Sequence, residues 1–239
     1  MGIGRPSQHR ILAVVRHPVG GVRTHILYTY PILLQAGFHF TFVVPEYEYH
    51  DTFCSEVRAW EGTEVVRVPH RDRNHEKPRF WSTVRKLLKR RQFSLIHSHG
   101  VQAAVPTVFA NLGVGLPHVM TSQDVFCRVD LHGIAGRLKL AALARILQQL
   151  DILIAVSEDT RCDHLQHLPE LKKGRCQVKV IHNGIDLQQY SSSQKTALSD
   201  LRDRLTLDKH VPLLGFLGRY MPQKGFLVLA DALTTLVRR

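Results

Sequence analysis

The residues equipped for chemistry stand just after short apolar runs, and the most specific group comes late in the chain. In Gly215-Phe-Leu-Gly218-Arg219-Tyr-Met-Pro-Gln-Lys224-Gly225 an apolar run ends at a glycine, an arginine follows, and a lysine opens a helical stretch. A guanidinium grips a diphosphate bidentately and an ammonium adds a point charge. Gly218, Arg219 and Lys224 beside a helix N-terminus therefore read as a diphosphate cradle, against the plain alternative of two surface cations. An earlier loop, Arg16-His-Pro-Val-Gly20-Gly21-Val-Arg-Thr-His25, carries two glycines. Gly20 and Gly21 would let backbone N–H groups approach an anionic or sugar ligand. A tight turn with no ligand explains the same pair. The pattern is not G-x-G-x-x-G, which weakens a nicotinamide-dependent oxidoreductase reading.

Three further segments offer neutral or acidic hydrogen-bonding groups. In His97-Ser98-His99-Gly100 only one histidine is expected to enter a crevice, with His99 as the hydrogen-bonding group. No acidic or cysteine cluster adjoins it, so no metal site is expected. Thr121-Ser122-Gln123-Asp124 presents an amide and a carboxylate suited to sugar hydroxyls. Asp124 could equally serve a turn or helix cap, and Ser157 before Glu158 has the same two readings. Asn183-Gly184 in His182-Asn183-Gly184-Ile185-Asp186 is expected to force a turn with positive φ, as a structural corner and a ligand contact together.

Elements must hold these groups in place. Buried strands are expected at Ile11–Val15, Phe38–Val44, Glu64–Val68, Leu95–His97, His118–Thr121, Ile152–Val156, Val178–Ile181 and Leu213–Leu217. Helical patterns alternate with them, at Val22–Gln35, Asp51–Trp60, Arg79–Arg91, Val101–Leu112, Ile134–Leu150, Glu158–Leu168, Ser193–Leu205 and Lys224–Val237, with a kink expected at Pro31. Such alternation predicts an α/β fold: a Rossmann-like, mostly parallel sheet flanked by helices. Ligands of such sheets sit beyond the C-terminal strand ends, where the chemical groups above fall. A polar break opens at Ser191-Ser192-Ser193. The expected organisation is a Rossmann-like domain over 1–190, a linker over 191–211, and over 212–239 only the first β/α unit of a second such domain. The chain looks cut short.

The 239 residues carry 32 Lys+Arg against 20 Asp+Glu, a formal charge of +12, with 44% hydrophobic residues. Nucleic acid, an anionic membrane surface or a phosphorylated small molecule would suit that charge. No helix-turn-helix signature, aromatic strand pair or zinc spacing accompanies it, so nucleic acid is set aside. In Arg79–Arg91, Phe80, Val84, Leu87 and Leu88 form an apolar stripe opposite Arg85, Lys86, Lys89 and Arg90. That is a solvated surface helix or a peripheral contact with anionic lipid. No run of ~18 apolar residues spans a bilayer, and the polar N-terminus has no signal-peptide core. Four scattered cysteines suit a reducing cytosol. The expected location is cytoplasmic, with the inner membrane face as the peripheral variant.

Together, Gly20-Gly21 with His25, the His97–Gly100 strand end, Thr121–Asp124, Asp151 to Ser157, His182–Asp186, and Gly218-Arg219 to Lys224-Gly225 resemble the GT-B retaining glycosyltransferases of the glycosyltransferase 4 group. The resemblance implies two Rossmann-like domains across a cleft, with the acceptor on the N-terminal side and a nucleotide-sugar donor on the other. It implies that Arg219 and Lys224 act in catalysis by holding the donor diphosphate with Gly218 and Gly21. Gly20, Gly21, His25, His99, Gln123, Asp124 and Asn183 would bind acceptor or sugar. The acceptor would be a carbohydrate or a lipid-linked hydroxyl, and neither metal nor other cofactor is implied. Gln123 stands where members commonly carry histidine, which makes that contact a neutral hydrogen bond. The family's glutamate pair and nucleoside site would lie beyond Arg239. Residues 1–239 alone are accordingly expected to transfer little sugar, with a non-catalytic binding module as the alternative reading and an exposed apolar face around Leu213–Leu236 as its mark.

Overall fold

Seven short strands, β1 (Arg10–Val15), β2 (His39–Pro45), β3 (Thr63–Val68), β4 (Leu95–His99), β5 (His118–Ser122), β6 (Ile152–Ala155) and β7 (Gln177–Val180), form one parallel sheet in the order β3-β2-β1-β4-β5-β6-β7. The computed structural model describes residues 10–69, 73–125, 133–187, 201–208, 210–218 and 224–237. Sequence order runs outward from β1 on one side and from β4 on the other. The topological switch point therefore lies between β1 and β4, and β1 pairs with both neighbours (Val14 with Val43 and Ser98).

Alternation along β1 explains why it is central. Leu12 and Val14 enter one buried cluster, and Ile11, Ala13 and Val15 enter the cluster on the opposite face. A strand with both faces covered has to be apolar throughout, which is the pattern of its sequence. Helices α1 (Gly21–Gln35) and α2 (Asp51–Arg58) supply Ile26, Tyr30, Phe53 and Val57 to the second cluster. Helices α3 (Arg73–Lys89) and α4 (Val101–Asn111) cover the other face, and α5 (Gly133–Leu147) continues it through Ala144 and Leu147. Helix α6 (Glu158–His167) follows β6. The stripe read from α3 is real: Phe80, Val84, Leu87 and Leu88 are buried while Lys86, Lys89 and Arg90 face solvent.

Contacts divide the chain into two compact units, Met1–Ile185 and Asp186–Arg239. The expected boundary at residue 190 and most of the 191–211 linker lie outside the described residues. In the second unit a helical turn at 201–204 and helix α7 (Phe226–Val237) are present. Leu213–Leu217 is not a strand. A strand exists through its ladder, and no other strand forms in that unit among the described residues. Leu214, Leu217, Leu227 and Val228 are exposed there. Helix α1 runs unbroken through Pro31. Proline removes one N–H, and the rest of the helix holds through packing of Ile26 and Tyr30.

Candidate functional site

The switch point collects most of the expected residues. Beyond β1 the backbone turns at Gly20, whose φ of 55° suits a residue without Cβ, and α1 begins. Gly21 is small for a different reason. A Cβ there would stand 2.6 Å from Gln123 Oε1, so the amide of Gln123 lies directly against the glycine loop. Gln123 Nε2 is buried without a hydrogen-bond partner among the described residues, a donor aimed into the same crowded corner. Neither α1 nor α4 has a side-chain cap or an acid in its first turn. Two helix N-termini thus present open N–H groups at the C-terminal edge of the sheet. His17, in the glycine loop, lies 3.1 Å through Nε2 from Gln102 Oε1 at the start of α4, joining the two.

Below this edge sits a buried polar cluster. The Tyr30 hydroxyl is 2.9 Å from His97 Nδ1 and 2.8 Å from His99 Nε2, and His97 Nε2 is 2.8 Å from Thr121 Oγ1. The rings of His97 and His99 are 4.4 Å apart. The expectation that only one of the two would enter fails: strand side chains repeat with period two, so residues 97 and 99 share a face. Ser98 points the other way, to His118 Nε2 at 2.9 Å. His25 stands 5.7 Å from His99, ring to ring, and its Nδ1 donates to Asn183 Oδ1 at 2.9 Å.

Burial sets the charge state of this cluster. It pushes the His97 imidazole down to about 3 and His118 to about 4, and drives His99 well below its ordinary value, the neighbouring imidazoles adding to the effect on His97 and His99. His25 is lowered by burial, against the bond to Asn183. The Tyr30 phenol is raised by burial alone. At neutral pH the cluster is uncharged. One hydroxyl proton cannot serve two rings, so Tyr30 donates to one and accepts from the other. His99 Nδ1 has no partner among the described residues. An unmatched lone pair is cheaper than an unmatched N–H, which favours the order His99 Nε2–H to Tyr30 O, Tyr30 O–H to His97 Nδ1, and His97 Nε2–H to Thr121 Oγ1.

The remaining candidates divide. Asp124 is exposed, and its backbone carbonyl accepts from Ser122 Oγ at 3.4 Å. Ser157 is a cap: its Oγ accepts from Thr160 N at 3.0 Å at the start of α6. Asp151 is structural, accepting from His118 N at 2.8 Å and from Arg175. The positive-φ turn expected at Asn183-Gly184 is absent, because a parallel edge strand needs no hairpin turn there. In the second unit Gly218 lies against Lys224, since a Cβ on Gly218 would be 3.8 Å from the Lys224 Cβ. Arg219 falls outside the described residues. Among the described residues no three His, Cys, Asp or Glu side chains gather into a metal-binding group, and no helix is long and apolar enough to cross a membrane. Sequence reading missed Tyr30. The signal for it was a tyrosine four residues after Ile26 on the buried stripe of α1, where a hydroxyl must find a partner.

With this geometry in place, the comparison with known proteins is decisive on kinship. The family profile of Glycosyltransferase Family 4 matches residues 19–189, from the glycine loop to just past Asn183. The chain belongs to this family. It is 27% identical over 136 residues to alpha-maltose-1-phosphate synthase of Mycolicibacterium smegmatis, a stretch covering 55% of this chain and 35% of that protein. Its fold is that of the GT-B glycosyltransferases. The Anabaena protein HepE, solved with UDP and glucose, superposes with a TM-score of 0.71 at 18% identity, covering 95% of this chain and 58% of its own. A glycosyltransferase from Rickettsia africae gives 0.72 at 17% identity, with 97% and 58% covered. The family 4 chain described here thus spans under two thirds of the length of these relatives.

Proposed function

We propose that this chain is the acceptor-side part, with the opening of the donor side, of a glycosyltransferase. It would move a sugar from a nucleotide-diphosphate sugar to a hydroxyl of a carbohydrate or lipid-linked acceptor, with retention and without a metal. The observation that carries the reading is the family match over residues 19–189, which coincides with the convergence of Gly20, Gly21, His25, His99, Gln123 and Asn183 at the switch point.

The chemistry asked of these residues is positioning and charge compensation. Arg219 and Lys224 would neutralise the departing nucleoside diphosphate, Arg219 bidentately and Lys224 as a point charge. The leaving phosphate would itself take the acceptor proton on the same face of the sugar, which retains configuration and needs no protein nucleophile. The Gln123 amide and the neutral His25 and His99 would hydrogen-bond sugar hydroxyls without proton exchange. Free Cys54, Cys162 and Cys176 support work in a reducing compartment, the cytoplasm by this reading.

Nucleotide release by the full-length protein against a panel of nucleotide-sugars tests the proposal. UDP-glucose comes first, since HepE has been solved with it. Turnover that persists in EDTA and gives an α-linked product from an α-linked donor is expected, and Lys224→Ala should lower kcat/KM by about 10²–10³-fold. No release with any nucleotide-sugar overturns the transferase. An inverted product or a metal requirement overturns the retaining, metal-independent form.

A further inference from the structure

Beside the switch point, α3 and α4 leave a groove of about 960 Å³ between them. Trp81 forms one wall, and Val105, Pro106, Phe109 and Leu112 line the α4 side. Phe109 and Leu112 are 44% and 55% exposed, so this apolar lining meets water. A ligand-sized apolar cleft of this kind is uncommon as mere surface relief. Among the described residues its polar lining is Arg16 and Gln102, and both lie where β1 and α4 meet the glycine loop.

Charge identifies the occupant. Residues 77–123, which contain nearly all of α3 and the whole of α4, hold seven Lys and Arg and not one Asp or Glu. An apolar cleft walled by a strongly cationic helix pair, in which Glu76 at the start of α3 is the one acid, complements a molecule with a hydrocarbon chain and an anionic head. The two ends of the cleft differ. At one, Arg85 Nη1 already donates to Ala110 O and Leu112 O, both at 3.1 Å, with the guanidinium 5.8 Å from the Trp81 ring centre. At the other, Arg16 stands near the α4 N-terminus, which has no side-chain cap. An anion is better served at that second end, where dipole and guanidinium act together.

We propose that the α3–α4 groove binds the hydrocarbon chain of a single anionic amphiphile, a long alkyl or prenyl chain bearing a phosphate, with the phosphate at Arg16 and the α4 N-terminus. The chain then lies along Trp81 and Phe109, and the head is delivered to the crevice edge. The binding claim stands on the groove alone. That the phosphate in turn carries the acceptor hydroxyl on an attached sugar rests on the proposed transferase.

Dodecyl phosphate below its micelle-forming concentration is the probe, and Trp81 is the reporter. A saturable blue shift of tryptophan emission is expected, absent with glycerol phosphate, which has the head without the tail. Phe109→Asp should weaken binding by about tenfold or more, while Ile32→Asp, an exposed apolar position on α1 outside the groove, should leave it unchanged. Circular dichroism confirms that each variant folds. Trp81→Phe should remove the spectral shift while calorimetric binding persists. Equal binding by Phe109→Asp, an equal response to glycerol phosphate, or binding only to phosphatidylglycerol vesicles and never to the monomer overturns the proposal. In the full-length transferase, Phe109→Asp should raise KM for an acceptor whose sugar hydroxyl is carried on a long-chain phosphate and leave transfer to a short soluble acceptor unchanged. If no sugar is transferred at all yet dodecyl phosphate still binds, the groove assignment survives and the transferase reading falls.

Discussion

Tyr30 shows how much one side chain can settle. Its ring packs 4.5 Å from Phe40 and 5.2 Å from Phe42, while its hydroxyl is shared by His97 and His99. Tyr30→Phe keeps the ring and strands two buried imidazole nitrogens. Unpaired buried polar atoms cost about 1–3 kcal/mol each, so unfolding in urea should show a loss of roughly 2–4 kcal/mol, far more than deleting an exposed hydroxyl. A change under about 0.5 kcal/mol would mean that water or another group takes over the bond. At this scale the sequence was partly readable. Gly20, Gly21, His25, His99 and Asn183 were visible as polar or flexible residues after apolar runs. Tyr30 and Thr121 were not marked out as their partners, because only the fold brings residues so distant in sequence into hydrogen-bond range.

Strands β4 and β5 carry the titratable part of the cluster, and they carry its pH dependence. In the folded protein burial holds His97 at about 3, His118 at about 4 and His99 well below its ordinary value, whereas in the unfolded chain each protonates near 6.5. Below 6.5 the unfolded state binds more protons, so stability is whole above that value and is lost as pH falls toward the folded values. Three such groups give a slope of roughly 3–4 kcal/mol per pH unit between pH 6 and 5. Denaturant melts at pH 7.5, 6 and 5 measure it, and an uptake of less than one proton on unfolding would contradict the buried neutral assignment. The same histidines explain why β4 reads short in the sequence. His97 and His99 look like loop residues until Tyr30 and Thr121 are known to satisfy them. Leu213–Leu217 misled in the opposite sense, since a short apolar run suggests a strand without revealing whether a partner exists. The central strands β1 and β2 were legible to within a residue because burial on both faces demands nearly unbroken apolar runs, and the edge strands β3 and β7 through their short valine-rich segments.

For the molecule as a whole, architecture was more legible than division of labour. Alternating patterns announced a parallel sheet, and the sheet order then placed the switch point between β1 and β4. For the second unit the sequence offered an expectation, Gly218 and Lys224 as part of a diphosphate cradle, and the structure adds that the two lie side by side. Strand β1 lies inside a seven-stranded sheet with Leu12, Ala13, Val14 and Val15 wholly sealed from solvent, whereas β7 is an edge with alternate residues exposed. Amide deuterium exchange should then find Leu12–Val14 opening only with global unfolding and Gln177–Val180 opening at least about tenfold sooner. The glycine turn at Gly20 thus follows a strand sealed from solvent, while Asn183 follows an edge strand that opens sooner. Whatever docks between them meets one fixed jaw and one yielding jaw.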